Sequence, residues 1–171
     1  MNNLKLKNKI CVITGSSSGI GKAIAKAYKK EGGKVVISYN KNKKNALQTA
    51  KELDAELVLQ LEVSKKKSVV DFFQKINKSY GKIDILVNNA GTNITNDFDK
   101  LSEKDWDKVI DINLKGVFLC CQQVIKYMPK NSKIINIGSL SGEYGGPRTP
   151  SYAAAKAGVM SLTHNLARFL G

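Results

Sequence analysis

Cysteine, proline, histidine and tryptophan are scarce in this 171-residue chain, which holds 3, 3, 1 and 1 of them, respectively. The cysteines Cys11, Cys120 and Cys121 form no CxxC pair, which argues against a zinc site or a redox motif. They lie in apolar segments, so the sequence predicts buried free thiols in a reducing, cytoplasmic protein. The only histidine, His164, is expected at the surface of a late helix. No metal site is predicted.

Long apolar runs are also missing, because no stretch approaches the roughly 20 residues that a membrane-spanning helix needs. Residues 1–9 are polar and basic and lead directly into a short strand-like run, unlike a secretion signal. Hydrophobic residues make up 42% and charged residues 25% of the chain, which are ordinary values for a globular domain. We therefore expect one globular domain over residues 1–171, with no membrane partner.

Acidic residues are few, because 14 aspartates and glutamates stand against 28 lysines and arginines, for a formal net charge of +14. Only Arg148 and Arg168 are arginines, so lysine carries most of the positive charge. A nucleic-acid site would need basic residues clustered with arginine and aromatic side chains, whereas these lysines are spread along the chain. The pattern favours solvated lysine faces and no specific nucleic-acid partner, with a basic RNA-binding fold as the alternative. The positive field still favours anionic ligands.

Short apolar segments alternate with helical patterns from end to end, as is typical of a parallel sheet covered on both faces. The sequence predicts a doubly wound, Rossmann-type α/β fold with strand order 3-2-1-4-5 and helices on both faces. Relative to a six-strand order, we expect later strands to be missing, so that the single domain over 1–171 is C-terminally incomplete. The predicted strands are Ile10–Ile13, Lys34–Ser38, Leu57–Val63, Ile83–Val87 and Ile134–Ile137.

Two long helices are predicted in the second half of the chain, over Ser102–Met128 and Ser151–Leu170. Ser102 and Asp105 form a capping-box pattern at the start of the first of them. That helix is apolar on two sides, so it needs two partners. One partner is the sheet, and we expect the other to be a second subunit.

A glycine-rich segment follows the first predicted strand and opens the first helix. Its spacing, G-x-x-x-G-x-G, differs from the G-x-G-x-x-G of the common dinucleotide fingerprint. Glycines allow close approach of the backbone to a pyrophosphate, and the helix N-terminus offers free N–H groups to it. The segment therefore predicts a dinucleotide-binding loop formed by Gly15, Ser17, Ser18, Gly19, Ile20 and Gly21.

The same segment also matches G-x-S-x-G, the nucleophile elbow of serine hydrolases, with Ser17 as the nucleophile. Asp111 and His164 follow in the order that those hydrolases use. This alternative leaves Gly21 unexplained, and it requires His164 to reach the first loop from a late helix.

Tyr152 and Lys156 are four residues apart, so both lie on one face of the last predicted helix. The reference pKa of tyrosine is about 10, and bringing it near 7 requires roughly 4 kcal/mol. A lysine charge about 4 Å away supplies roughly that much at an effective dielectric constant of about 20. The pair is therefore sufficient for a tuned general acid, although Y-x-x-x-K alone is a common pattern.

These segments stand in the order found in the short-chain dehydrogenase/reductase family, and the chain resembles the standard-length branch of that family throughout. The matching motifs are T-G-x-x-x-G-I-G in the glycine loop, N-N-A-G after strand four and Y-x-x-x-K in the last helix. The resemblance implies hydride transfer between a nicotinamide cofactor and a carbonyl or secondary alcohol. It also implies a catalytic tetrad of Asn113, Ser139, Tyr152 and Lys156.

Each tetrad member has an implied role. Tyr152 delivers or removes the hydroxyl proton, and Ser139 donates a hydrogen bond to the substrate oxygen as charge develops there. Lys156 lowers the pKa of Tyr152 and holds the nicotinamide ribose, while Asn113 positions a water in a proton relay. Without the resemblance, Asn113 is equally well interpreted as a satisfied core asparagine and Ser139 as a turn residue.

The resemblance further implies a cofactor site that favours NADP(H) over NAD(H). NAD-binding folds place an acid about 20 residues after the glycine loop, but that region has lysines and no acid here, which suits a 2′-phosphate. Against this, Ser18 stands where NADP-preferring relatives often carry a basic residue. Besides the glycine loop, the implied cofactor contacts are Tyr39, Asn40, Lys41, Glu62, Val63, Asn89, Ala90, Gly91, Tyr152 and Lys156.

Within the family, the chain is most similar to the 3-oxoacyl-acyl-carrier-protein reductase and glucose-dehydrogenase-like groups. The implied substrate is a small-molecule or acyl-carrier-linked carbonyl, and the implied assembly is a homodimer or homotetramer. Carrier-protein reductases often have an Arg-Asp pair shortly after Gly91, where this chain has Ile94 and Thr95. A catalytically inactive dinucleotide-binding fragment is the alternative within the family.

Overall fold

A five-stranded parallel sheet with strand order β3-β2-β1-β4-β5 forms the centre of the molecule. The computed structural model describes residues 4–171. The order and the parallel pairing confirm the predicted Rossmann-type fold. The strands are β1 (Ile10–Ile13), β2 (Lys34–Tyr39), β3 (Leu57–Gln60), β4 (Ile85–Asn88) and β5 (Lys133–Asn136).

Helices cover both faces of the sheet. One buried cluster joins strand residues such as Val12 and Leu86 to α3 and α5, and a second joins Cys11 and Ile13 to α1 and α2. Successive residues of β1 thus serve opposite layers, as the two-residue repeat of a strand requires. The α-helices are α1 (Gly19–Lys30), α2 (Lys43–Leu53), α3 (Lys66–Tyr80), α4 (Glu103–Ile110), α5 (Gly116–Val124), α6 (Ser141–Tyr144) and α7 (Pro150–Leu170).

Two predicted strand boundaries were wrong by two or three residues, and further boundaries of β2, β4 and β5 differ from the prediction by one residue. The third strand ends at Gln60 rather than Val63, because its partner β2 ends at Tyr39 and the chain then turns. The N–H of Lys65 closes that turn on the carbonyl oxygen of Glu62 at 3.1 Å. The fourth strand begins at Ile85 rather than Ile83.

The long helix predicted over Ser102–Met128 is present as an unbroken helical segment from Glu103 to Tyr127, but it contains a π turn that the sequence did not predict. A π-helical turn, Asp111–Lys115, separates α4 from α5, and the N–H of Gly116 donates to the carbonyl oxygen of Asp111 five residues back. The predicted cap is present, since the hydroxyl of Ser102 accepts a hydrogen bond from the N–H of Asp105 at 3.2 Å. Such π turns often occur at functional sites.

The three cysteines are buried and free, and His164 is exposed, both as expected. Burial raises the pKa of the Cys11 thiol to about 12 and that of Cys121 to about 11. These thiols are therefore protonated and unreactive at neutral pH. Among residues 4–171, no helix combines the length and the apolar character needed to cross a membrane.

Asp84 is a buried carboxylate that links the start of β1 to the segment before β4. It accepts a hydrogen bond from the N–H of Ile10 at 2.9 Å and lies 3.1 Å from Lys82 Nζ and 3.4 Å from Lys9 Nζ. Burial alone would raise the pKa of Asp84, but this hydrogen bond and the two lysines outweigh burial and hold it below its usual value. The charged form therefore stabilises the fold.

Asp84→Asn should lower the free energy of unfolding by about 1–2 kcal/mol at neutral pH, because the amide loses the charge-assisted bonds. Since the folded-state pKa is depressed, this stabilisation is present above the unfolded-state pKa, about 3.9, and fades as the pH falls below it. Urea unfolding at pH 7 and pH 3.5 tests this, with Asp71→Asn as the matched control at the exposed Lys67–Asp71 pair. An equal loss of stability at both pH values would contradict the assignment.

Candidate active site

The glycine loop turns sharply at the carboxyl end of β1. Gly15 has a φ of +69° and Gly19 a φ of +54°, both in the left-handed region that favours glycine. A Cβ added to Gly21 would stand 2.5 Å from the carbonyl oxygen of Gly15 and 2.6 Å from Asn89 Nδ2. Gly15 and Gly19 are thus required for backbone conformation, and Gly21 for close packing of the helix start against the loop.

Side chains of the neighbouring β2 and α2 hold this loop. The hydroxyl of Ser38 accepts a hydrogen bond from the N–H of Gly15 at 2.8 Å and donates one to the carbonyl oxygen of Ile13 at 2.9 Å. The hydroxyl of Thr49 donates to the carbonyl oxygen of Ser17 at 3.1 Å. These hydrogen bonds hold the loop conformation from one side of the sheet.

The segment after β4 fixes the loop from the other side. Thr14 Oγ1 accepts hydrogen bonds from the N–H groups of Asn89 at 3.0 Å and Ala90 at 2.9 Å. In return, Asn89 Nδ2 donates to the carbonyl oxygen of Thr14 at 2.9 Å. These bonds join the carboxyl ends of β1 and β4 into one rigid floor.

A cleft of about 650 Å³ lies above this floor, within the size range of small-molecule sites. Ser18, the residue before α1, makes no side-chain cap hydrogen bond, so the first turn of the helix offers N–H groups to an anion. Nothing lies within 4 Å of where a Cβ of Gly19 would stand. The sequence-predicted residues that line the cleft are Gly15, Ser17, Ser18, Gly19, Ile20, Tyr39, Asn40, Glu62, Val63, Asn89, Ala90 and Gly91.

The cleft is also lined by four residues that the motifs did not identify, namely Leu61, Ser64, Thr92 and Ile112. Each directly adjoins a residue that the motifs did identify, and this adjacency is the only signal that could have found them. Lys41, by contrast, is exposed beside the cleft and does not line it.

The first turns of α7 bring Tyr152 and Lys156 together, as the four-residue spacing predicted. Lys156 Nζ lies 5.6 Å from the centre of the Tyr152 ring and donates a hydrogen bond to the carbonyl oxygen of Ile137 at 2.5 Å. Lys156 is only 5% exposed, and this burial lowers its pKa. The contact with Ile137 anchors the ammonium beside the tyrosine at the carboxyl end of β5.

Tyr152 and Lys156 line a second cavity of about 350 Å³, here called the tyrosine pocket. Asn113 also lines it, so three of the four predicted tetrad residues meet there. The tyrosine pocket is continuous with the glycine-loop cleft, because the two share Ile20, Asn89, Gly91 and Thr92.

Asn113 is completely buried at the π turn, and its side-chain amide is engaged. Its Nδ2 donates to the carbonyl oxygens of Thr92 at 2.7 Å and Val109 at 2.8 Å, while its Oδ1 accepts from the N–H of Thr92 at 3.2 Å. A Cβ on Gly91 would stand 2.7 Å from that Oδ1. Asn113 therefore ties the π turn to the segment after β4, and both of its amide hydrogens are used.

Ser139 lies on the segment after β5, is half-buried and does not line the tyrosine pocket. Its hydroxyl oxygen accepts a hydrogen bond from the N–H of Ser141 at 3.2 Å. That segment packs closely on α7, since a Cβ on Gly142 would stand 2.7 Å from the N atom of Ala157. The structure thus places Ser139 beside α7 without bringing it into the pocket.

The serine-hydrolase alternative receives no support. The cleft that Ser17 lines includes neither Asp111 nor His164. Asp111 instead pairs with Lys115 at 3.1 Å, and His164 is exposed on α7.

Comparison with known proteins agrees with this geometry. The family model for short chain dehydrogenases matches residues 9–171, and the chain belongs to that family. It is 40% identical over 174 residues to the 3-oxoacyl-(acyl-carrier-protein) reductase FabG of Thermotoga maritima, which covers 98% of this chain and 70% of the relative. The reductase of the same name from Staphylococcus epidermidis is 39% identical, covering 95% of this chain and 69% of the relative.

A solved structure, that of gox2181, superposes with a TM-score of 0.93 at 30% sequence identity, covering 98% of this chain and 68% of that protein. The resemblance inferred from the sequence is confirmed, and with it the class of the protein, an NAD(P)-dependent short-chain dehydrogenase/reductase. The uncapped first turn of α1 and the open space over Gly19 fit the pyrophosphate of a nicotinamide dinucleotide.

Gly21→Ala should weaken dinucleotide binding at least tenfold, because the added Cβ would displace either the Gly15 carbonyl or the Asn89 side chain. The dissociation constants of NADPH and NADH, measured by fluorescence titration, test this. Gly81→Ala is the matched control, since Gly81 ends α3 with a φ of +74° and open space around it. That control should cost stability but leave cofactor affinity unchanged, and equal effects of both variants would contradict the loop assignment.

Proposed function

We propose that the chain is an NADP(H)-preferring reductase of carbonyl compounds, running in reverse as a secondary-alcohol dehydrogenase. The observation that carries the proposal is the continuity of the tyrosine pocket with the glycine-loop cleft. A dinucleotide lying along the cleft from the glycine loop would reach the pocket that holds Tyr152 and Lys156. An acid–base pair and a hydride source would then meet at one place.

The residues for holding the cofactor follow from the cleft. The N–H groups at the start of α1 would hold the pyrophosphate, with Ser17, Ser18, Gly19 and Ile20 around it. Glu62 and Val63 would flank the adenine, and Asn89, Ala90 and Gly91 the adenosine ribose. Tyr152 and Lys156 would hold the nicotinamide ribose. The bound nicotinamide supplies or accepts the hydride.

The proton chemistry belongs to Tyr152. In the reductive direction its hydroxyl donates the proton to the substrate oxygen, and in the oxidative direction its oxygen takes that proton back. The Lys156 ammonium, 5.6 Å from the centre of the Tyr152 ring, would stabilise the negative charge that develops on the reacting oxygens during proton transfer. The hydrogen bond to Ile137 keeps this ammonium in place.

Ser139 and Asn113 complete the proposed tetrad. The hydroxyl of Ser139 would donate a hydrogen bond to the substrate oxygen, which requires the segment after β5 to turn it into the tyrosine pocket. Asn113 would help to hold a relay water. Because both of its amide hydrogens are used, it would do so through its Oδ1 or by shaping the π turn.

Three related details support a preference for NADP(H). The segment after β2 contains Asn40 and Lys41, both exposed, and no carboxylate to repel a 2′-phosphate. Gln60 Nε2 donates to the carbonyl oxygen of Asn40 at 2.9 Å, which fixes this segment at the end of the cleft. The net charge of +14 adds a general attraction for the extra phosphate.

Lys41→Glu should weaken NADPH binding about tenfold, since reversing a charge near a phosphate costs about 1–2 kcal/mol in a solvated site. NADH binding should change less than twofold. Lys75→Glu, an exposed position on α3, changes the net charge equally and serves as the control. If both variants weakened NADPH binding to the same extent, Lys41 would have no specific part in cofactor choice.

The proposed substrate is a small-molecule or acyl-carrier-linked carbonyl, including a 3-oxoacyl thioester. The names of the two reductase relatives support this class. The large positive charge is also compatible with a substrate presented on an acidic carrier protein.

We further propose one dinucleotide-binding domain that acts as a homodimer or homotetramer in the cytoplasm. Trp106 and Phe118, on the α4–α5 helix, remain 38% and 44% exposed and would be covered by a second copy. Free, buried thiols fit a reducing compartment.

Tyr152→Phe should reduce NADPH-dependent turnover of a 3-oxo ester by at least a thousandfold, because the ring stays and only the proton donor is lost. Its NADPH-induced rise in melting temperature should match that of the unaltered chain, since binding to the folded state is retained. Tyr80→Phe, at the end of α3 and outside both the glycine-loop cleft and the tyrosine pocket, is the control and should keep full turnover. Comparable turnover by Tyr152→Phe would refute the mechanism.

A further inference from the structure

Two loops flank the tyrosine pocket, and both lead into the proposed chemistry. The first loop, residues 89–97, follows β4 and contributes Gly91, Thr92 and Asn93 to the pocket wall. The second loop, residues 137–149, runs from the end of β5 past Ser139 to the start of α7. The first loop thus forms part of the wall of the tyrosine pocket, and the second loop begins at the wall residue Ile137.

The two loops meet in a pair of contacts at their far ends. The N–H of Asn96 donates to the carbonyl oxygen of Arg148 at 2.9 Å. Arg148 Nε lies 2.9 Å from Asp97 Oδ1, which makes a salt bridge between residues far apart in the chain. A cavity of about 590 Å³ lies beside this bridge, and its walls include Phe98 and Tyr144.

The backbone of the second loop is poorly suited to hold this position unaided. Arg148 has a φ of +53°, which is unfavourable for a residue with a Cβ. Gly145 and Gly146, with φ values of +96° and +64°, are permissive residues that allow many other conformations. A residue with an unfavourable φ persists only where its contacts hold it, and for Arg148 these include the contacts to Asn96 and Asp97.

Each of the two loops contacts one of the proposed catalytic residues. In the first loop, Thr92 is bound to Asn113 through two hydrogen bonds. In the second, a Cβ on Gly142 would meet Lys156 Cβ at 3.2 Å, so that this loop rests directly on the helix turn carrying the lysine. A contact between the two loops therefore links the Asn113 side of the tyrosine pocket to the Lys156 side.

We propose that the Arg148–Asp97 salt bridge is a latch that positions the second loop, with Ser139, at the mouth of the tyrosine pocket and so sets the affinity for the carbonyl substrate. The proposal rests on the proposed function and makes both members positioning residues. The side chains are 61% and 45% exposed, and exposed ion pairs contribute little to global stability. The Arg148–Asp97 salt bridge therefore affects the order of the second loop and the KM for the substrate rather than the stability of the fold.

A double-mutant cycle tests the latch, with Asp97→Asn, Arg148→Asn and the double variant. Asparagine at 148 removes the charge while tolerating a left-handed φ, so that backbone strain is not changed as well. Arg148→Lys keeps the charge and should recover most of the effect. Asp71→Asn removes the exposed Lys67–Asp71 pair on α3 and is the matched control.

We expect KM for ethyl acetoacetate, with saturating NADPH, to rise about fivefold in each single variant and no further in the double variant. Fivefold corresponds to about 1 kcal/mol, the upper range for an exposed pair. The NADPH dissociation constant and the melting temperature should stay at the values of the unaltered chain. Multiplicative effects of the two substitutions, or an unchanged KM, would overturn the latch.

Hydrogen–deuterium exchange separates this proposal from the proposed function. Amides of residues 140–149 should exchange about fivefold faster in Asp97→Asn and Arg148→Asn, and at the original rate in Asp71→Asn. This measurement needs no turnover. If the unaltered chain reduced no carbonyl compound, the proposed function would fail, while unchanged exchange in residues 140–149 would by itself overturn the latch.

Discussion

The hydroxyl of Thr14 is the interaction on which the rest of the site depends. It is 1% exposed and accepts the N–H groups of Asn89 and Ala90, and this locks the carboxyl ends of β1 and β4 together. The parallel register that pairs Ile13 with Val87 brings the two strand ends to the same level. The glycine loop and the N-N-A-G segment both begin at these joined strand ends, and they therefore form one surface. The hydrogen bonds of Thr14 thus keep the Gly15 carbonyl and the Asn89 side chain close to Gly21.

A second constraint is the burial of the Lys156 ammonium in a chain whose other lysines are mostly exposed. Lys156 is 5% exposed, whereas most lysines of this chain are solvated. Burying an ammonium is unfavourable unless it is hydrogen-bonded, and the carbonyl oxygen of Ile137 provides that bond. The arrangement stabilises negative charge in the tyrosine pocket, and the depressed pKa of Lys156 expresses the cost of keeping the ammonium there. A lysine placed only for solubility would have no such partner.

The sequence predicted the strand order and the glycine loop from local patterns, whereas the other cleft residues were predicted from the family resemblance. The amino-acid sequence itself shows the short apolar strands, the glycine spacing and the four-residue step from Tyr152 to Lys156. The π turn was not predictable, because one extra residue in a helical turn barely changes the apolar periodicity around Asn113. The pairing of Arg148 with Asp97 has no local signal either, since it joins two loops that only the parallel sheet brings together.

The two halves of the site are held by different kinds of contact, and this difference bears on how the protein can vary. The cofactor half is held by largely buried hydrogen bonds that involve Thr14, Ser38 and Asn89, and such bonds are costly to break because they leave polar groups unsatisfied. The substrate half depends on glycines and exposed contacts around the second loop. Surface loops carried on a rigid frame are where specificity changes most readily. A fold divided in this way can keep its dinucleotide site while the exposed loops around it, here residues 93–97 and 139–149, change.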